Sequence, residues 1–215
     1  MKRLTGMLPG RRLAIVAHSR AANLLLGLAM AGLWTVFAIA HVGVFLTTGN
    51  WAYLLFCMAE SAAAVFFVLR TTPVSVSASV GDWLLAIGAT FAPFMFRPSD
   101  WGVLPAAGVL LVVGSLLQLA GLLALNRSFG LVAAQREIKS GGVYGVVRHP
   151  LYASYLLSFS GYVLANTSLL NVAVFGLDMG LLVARMLREE RYLARDPVYR
   201  AYMQTVKYRI VPLIF

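Results

Sequence analysis

VRHPLYASYLLSFSGYVLANTSLLNVAVFGLDMGLLVARMLREE, from Val147 to Glu190, holds two apolar arms, Tyr152 to Ala165 and Leu169 to about Leu187, around the turn Asn166-Thr167-Ser168. Arms so apolar, with charge gathered mainly at their far ends, predict a helical hairpin in a membrane. Pro150 suits the first position of a helix, where its missing N–H would be unpaired in any case. His149 precedes a proline, is pushed towards extended geometry, and so should stand outside that helix. The free amides of Leu151 and Tyr152 and the positive end of the helix dipole make the helix mouth a candidate seat for a carboxylate or phosphate. The plainer alternative is a loop re-entering a membrane helix, with Arg148 and His149 facing interfacial water.

The second arm ends in RMLREE, Arg185 to Glu190. Asp178, Arg185 and Glu189 are spaced by seven and four positions and stack on one helical face. Such a face does not look at lipid. It either pairs internally, Arg185 with Glu189, while Arg188 and Arg191 reach for phosphate headgroups, or it lines a pocket. GGVYGVVRHPLY, Gly141 to Tyr152, and the Arg185–Glu190 cluster therefore read as two walls of one site.

Outward from this hairpin, the whole chain has a membrane composition: 215 residues, 60% hydrophobic and 12% charged, with a mean hydropathy of +0.79. It is expected to be all-α and polytopic, with about five to six transmembrane helices. A basic segment, residues 1–20, precedes helices over 21–125, and residues 126–215 form the region that carries the site, within one domain. The spans read as 21–46, 51–69, 83–96, 103–125 and the two arms of the hairpin. The third is short, contains Pro93, and can begin before Trp83. Residues 74–80, VSVSASV, alternate like a strand, but an open strand edge cannot sit in lipid, so an extended loop or a frayed helix start is expected. Glu60 must face protein or water, either as a proton or substrate contact or as a paired packing residue. Gln118 reads as interhelical glue. His18 is assigned to the interface and His41 to packing within the first span, and the single Cys57 excludes an intrachain disulfide.

With a cytoplasmic amino terminus, the inner segments 1–20, 70–82, 126–149 and 185–215 hold 5, 1, 4 and 7 Lys or Arg, 17 of the 18 basic residues, leaving only Arg97 outside. The positive-inside rule then places both termini and both walls on the cytoplasmic face. The net charge of +10 is explained by topology and anionic lipid, and nucleic acid is not required as a partner.

GVYGVVRHPLY, the Arg-x-x-x-Glu-Glu helix and PVYRAYMQTVKYRIVP resemble the isoprenylcysteine carboxyl methyltransferase family and its relatives, the phospholipid N-methyltransferases; NRSFGLVAAQREIKSGG stands where that family has the loop ahead of its RHPxY motif. The resemblance covers about residues 118–215. It implies an integral membrane methyltransferase that uses S-adenosyl-L-methionine and no metal. It places cofactor binding on Phe129, Arg136, Glu137, Ile138, Lys139, Tyr144, His149, Pro150, Leu151, Tyr152 and Glu189. Phe129 is the looser match, and the charged loop 136–139 suits contacts through backbone. Arg185 would hold the acceptor's carboxylate. The family's glycine soon after the motif is replaced here by Ala153 and Ser154, which would narrow a helix contact.

The chemistry suits these residue types. The Pro150 helix start and His149 suit the cofactor's carboxylate, and Glu189 and tyrosine faces suit its sulfonium. Methyl transfer is an in-line displacement whose main demands are alignment and exclusion of water. A carboxylate acceptor is already ionised at neutral pH and needs no base. An amine acceptor must lose a proton, for which Glu190, Glu60 or His149 are candidates. Catalytic roles thus fall on Arg185, Glu189 and Glu190. The expected acceptor is hydrophobic, lipid-linked or prenylated, and reaches the site from the lipid bilayer. Other readings are a phospholipid amine or small-thiol methyltransferase, a nicotinamide enzyme related to sterol reductases, and a scaffold or small transporter that binds anionic lipid.

Overall fold

The computed structural model describes residues 19–71, 75–77, 79–99, 101–130, 132, 134–135 and 138–215. The basic residues before Ser19, with His18, lie outside them. The architecture is a bundle of apolar helices: α1 (Arg20–Thr48), α2 (Trp51–Leu69), α3 (Val80–Phe91), α4 (Gly108–Leu125), α5 (Pro150–Ala165) and α6 (Leu169–Leu193), followed by a short amphipathic α7 (Pro197–Thr205). Among the described residues, three stretches are long and apolar enough to cross a membrane: Gly27–Thr48, Pro105–Leu125 and Leu169–Leu193. Trp51–Phe66 and Val80–Met95 are apolar but shorter, and α5 has 16 residues, fewer than an untilted crossing needs. The expectation of five to six full crossings therefore meets three helices that qualify by length and composition.

The alternating stretch around residue 75 departs from expectation. Ser75–Val76 (β1) pairs antiparallel with Ala134–Gln135 (β2), with Ser75 opposite Gln135 and Val76 opposite Ala134. The objection to a strand was its open edge, and the loop after α4 supplies the missing partner. The third apolar segment begins at Val80, before Trp83, and finishes as a 3-10 turn, Ala92–Met95, that accommodates Pro93.

Packing follows residue size. α1 pairs with α2, and α4 lies along α5, the most extensive helix contact in the chain. A Cβ on Gly114 of α4 would meet Ser158 N at 2.5 Å and Ser154 O at 2.8 Å, and one on Gly161 of α5 would meet Leu111 N at 2.6 Å. Gly114 thus lets α4 close onto the backbone of α5 at Ser154 and Ser158. An aromatic cluster of Phe37, Tyr53, Phe56, Phe96, Phe159 and Tyr162 fills the other end of the bundle. His41 packs there, its Nδ1 2.9 Å from the Phe37 carbonyl. Gln118 of α4 donates to Glu60 of α2 at 3.0 Å, an interhelical bond.

The hairpin turn is tied down by polar side chains. Asn166 Oδ1 accepts from Tyr53 Oη at 3.0 Å and from the Ser99 amide at 3.2 Å. Asn171 Nδ2 donates to the carbonyls of Arg97 and Asn166, each at 2.7 Å. Ser168 caps α6 by accepting from the Asn171 amide at 3.1 Å. These bonds fix where α5 ends and α6 begins, and so set how their other ends meet.

Candidate functional site

At its other end the hairpin is held by a buried ion cluster. His149 has the extended backbone expected before proline, φ −128°, and α5 starts at Pro150. Arg148 and His149 are pinned through their amides to the carbonyls of Tyr208 and Arg209, at 2.9 and 2.8 Å. The Arg148 guanidinium donates to Glu190 at 2.7 Å and to the carbonyls of Val206 and Lys207 at 3.1 and 3.0 Å. His149 Nε2 lies 3.0 Å from the same Glu190 oxygen, and Arg209 Nε donates to the other at 2.8 Å. Since a carboxylate only accepts, the Nε2 facing it carries the proton. Three donors from two segments thus converge on one carboxylate at the end of α6.

One residue earlier on α6, about 100° around the helix, Glu189 faces a cavity. Tyr152 Oη donates to Glu189 Oε2 at 2.8 Å. Arg185 stands beside them, its Cζ 5.8 Å from the centre of the Tyr152 ring, inside cation–π range. Its Nη2 reaches the Gly130 carbonyl at 3.5 Å. Tyr152 and Glu189 therefore join the two walls read from the sequence.

The cavity has a volume of about 160 Å³. Of the residues expected at the site, Phe129, Ile138, Lys139, Tyr144, His149, Leu151, Tyr152, Arg185 and Glu189 line it. Pro150 is fully buried in the helix start behind it. Glu190 is 4% exposed, is not part of the lining, and belongs to the ion cluster. Arg136 and Glu137 lie outside the described residues. Arg188, expected at headgroups, pairs instead with Asp82 at 3.1 Å. Asp178 is fully buried with neither carboxylate oxygen hydrogen-bonded.

Two tyrosines add to the polar mouth. Pro197 starts α7 and Asp196 caps it through the Val198 amide at 2.8 Å, which turns Tyr199 and Tyr202, three residues apart, onto one face. Both line the cavity, and Tyr202 Oη donates to the Tyr144 carbonyl at 2.7 Å. Burial raises the Tyr144 phenol well above its usual range, with Glu189 adding to the effect. Burial also raises Tyr199, and pushes Tyr202 up to about 12. All three phenols are neutral at physiological pH and present O–H donors and ring faces. The spacing of Tyr199 and Tyr202 after a proline was the available signal for them.

The far end of the cavity is built by the first half of the chain. Trp34, Phe37, Glu60, Thr90, Pro93 and Phe94 line it, with Tyr155 and Phe159 from α5. Trp34 Nε1 donates to Glu60 Oε2 at 3.0 Å, on the oxygen not used by Gln118. The site thus runs from a polar mouth, through Arg185, Glu189 and Tyr152, to an aromatic chamber between the helices. No cluster of potential metal ligands occurs among the described residues.

Residues 102–200 match the family described as phospholipid methyltransferase, a stretch that takes in α4 to the start of α7 and most of the polar half of the cavity. No curated protein compared matches the chain.

Proposed function

We propose that the chain, whose residues 102–200 match the phospholipid methyltransferase family, is a membrane methyltransferase that transfers a methyl group from S-adenosylmethionine to a hydrophobic acceptor. The observation that carries this reading is the continuity of one cavity from charged side chains at the end of α6 to aromatic ones amid the bundle. A polar cofactor and a greasy acceptor need those two environments side by side.

The side chains present fit the cofactor. Glu189 offers a carboxylate to positive charge, the rings of Tyr144, Tyr152, Tyr199 and Tyr202 offer faces to a sulfonium, and Lys139 offers a cation to a carboxylate. When bound, S-adenosylmethionine supplies an activated methyl on that sulfonium. Tyr152 orients Glu189 through its hydrogen bond, and the α7 tyrosines close the mouth against water. Arg185, held beside the Tyr152 ring and the Gly130 carbonyl, would bind and orient an ionised acceptor oxygen. A carboxylate acceptor needs no base there. Glu60 favours a second reading, an amine acceptor, because it places another carboxyl group on the cavity wall. The distribution of basic residues supports a cytoplasmic orientation for this end of the cavity.

The test is incubation of purified protein with methyl-labelled S-adenosylmethionine and either N-acetyl-S-farnesylcysteine, a long-chain amine or membrane lipid extract. Label should pass into the organic phase with at least one acceptor, and Glu189→Gln should abolish the transfer. A folded parent that leaves all label in water with every acceptor contradicts the reading.

A further inference from the structure

The carboxyl group of Glu60 lies on the cavity wall, in the half of the chain outside the family match. Its two oxygens each accept one hydrogen bond, from Trp34 Nε1 and from Gln118 Nε2, both at 3.0 Å. A carboxylate has about four lone-pair positions, so both oxygens retain acceptor capacity. Among the described residues Glu60 has no ion-pair partner. Gln118, fully buried behind it, leaves its own Oε1 without a hydrogen-bond partner.

Around this group the wall is aromatic. Phe94 packs edge-on against Trp34 and Phe37, with ring centres 6.0 and 5.3 Å apart, so the three rings form a continuous surface beside the carboxyl group. A chamber meant for bare hydrocarbon gains nothing from a carboxyl group, which is costly at membrane depth unless something uses it. Trp34 and Gln118 orient that group and leave its remaining acceptor positions available to the cavity. Aromatic faces beside a carboxylate also favour a ligand group that carries N–H or O–H, above all a cationic one.

We propose that Glu60, oriented by Trp34 and Gln118, forms a polar subsite at the inner end of the cavity that binds a hydrogen-bond donor, an ammonium or a hydroxyl, on the acceptor. Glu60 thereby determines which amphiphiles the protein accepts, whichever group receives the methyl. The subsite rests on the cavity being the acceptor chamber of a methyltransferase.

Three amphiphiles of equal chain length separate the possibilities: dodecylamine, dodecanol and methyl dodecyl ether, the last with no donor. Their binding is measured by calorimetry on the full chain in nanodiscs against empty nanodiscs, with S-adenosylmethionine titrated into the same samples. The parent should bind the amine or the alcohol about ten-fold or more tighter than the ether, the scale of one hydrogen bond to a charged group. Amine above alcohol identifies an ammonium seat, and the reverse a hydroxyl seat. Glu60→Gln keeps an acceptor for Trp34 but turns one acceptor oxygen into a donor, and should erase the preference while retaining S-adenosylmethionine binding. A parent that binds S-adenosylmethionine yet takes all three amphiphiles equally overturns the subsite, whatever the variant does. A preference that survives Glu60→Gln overturns it as well. Failure of the parent to bind S-adenosylmethionine is a separate result, and counts against the methyltransferase reading.

Discussion

Glu189 and Glu190 are adjacent in sequence and belong to different regions of the molecule. Successive side chains on a helix diverge by about 100°, so Glu190 enters the cluster of Arg148, His149 and Arg209 while Glu189 meets Tyr152 on the cavity wall. The first region holds three segments together, the start of α5, the end of α6 and the strand of chain after α7. In the second, Tyr152 bonds Glu189 at the wall of a cavity. The lesson is that one acidic pair divides structure from chemistry, and that the rigid half positions the reactive half. Since Arg148 and His149 are anchored by Glu190, the first turn of α5, which carries Tyr152, is held against Glu189.

Removing Glu190 should break the first region with the largest effect in the chain. Glu190→Ala leaves two arginines without their anion, and breaking a buried pair costs about 3–5 kcal/mol. A thermal melt in detergent should show a markedly lower Tm, with cofactor binding lost along with the fold. Glu189→Gln should act oppositely, with Tm almost unchanged and S-adenosylmethionine affinity reduced about ten-fold or more, the scale of a hydrogen bond to a charged group. Calorimetry and a melt on the same sample separate the two. Tyr152→Phe removes only the bond that orients Glu189 and leaves its carboxylate in place, so it should weaken binding by less than Glu189→Gln does. Arg188 lies on the same helix but outside both regions. Its pair with Asp82 is solvent-exposed on the arginine side, 46%, so Arg188→Ala should change Tm by about 0–1 kcal/mol equivalent and leave binding intact.

Much of this was legible before the structure. Pro150 marked the start of α5, and the spacing of Arg185 and Glu189 put both on one face, because proline geometry and helix periodicity are local rules. The separate fates of Glu189 and Glu190 were not legible, because they depend on Arg209 arriving from twenty positions downstream, and nothing local to the acidic pair announces that. The strand pair failed for the same reason: Ser75–Val76 reads as an orphan until Ala134–Gln135 comes beside it. Glu60 stood out as a charge in an apolar run, yet its bonds to Trp34 and Gln118 join three helices and have no signature in any one of them. The turn at Asn166 was visible, but the knot that Tyr53, Asn166, Asn171 and Arg97 make there depends on tertiary contact.

The measurement that bears most directly on the central claim is calorimetric titration of S-adenosylmethionine into detergent-purified protein, parent beside Glu189→Gln, with a melt of each. Saturable binding by the parent, weakened about ten-fold or more in a variant that melts at the parent's temperature, is the predicted result. A parent that unfolds cooperatively but binds no S-adenosylmethionine, or a Glu189→Gln variant that binds it as tightly as the parent, would contradict the account.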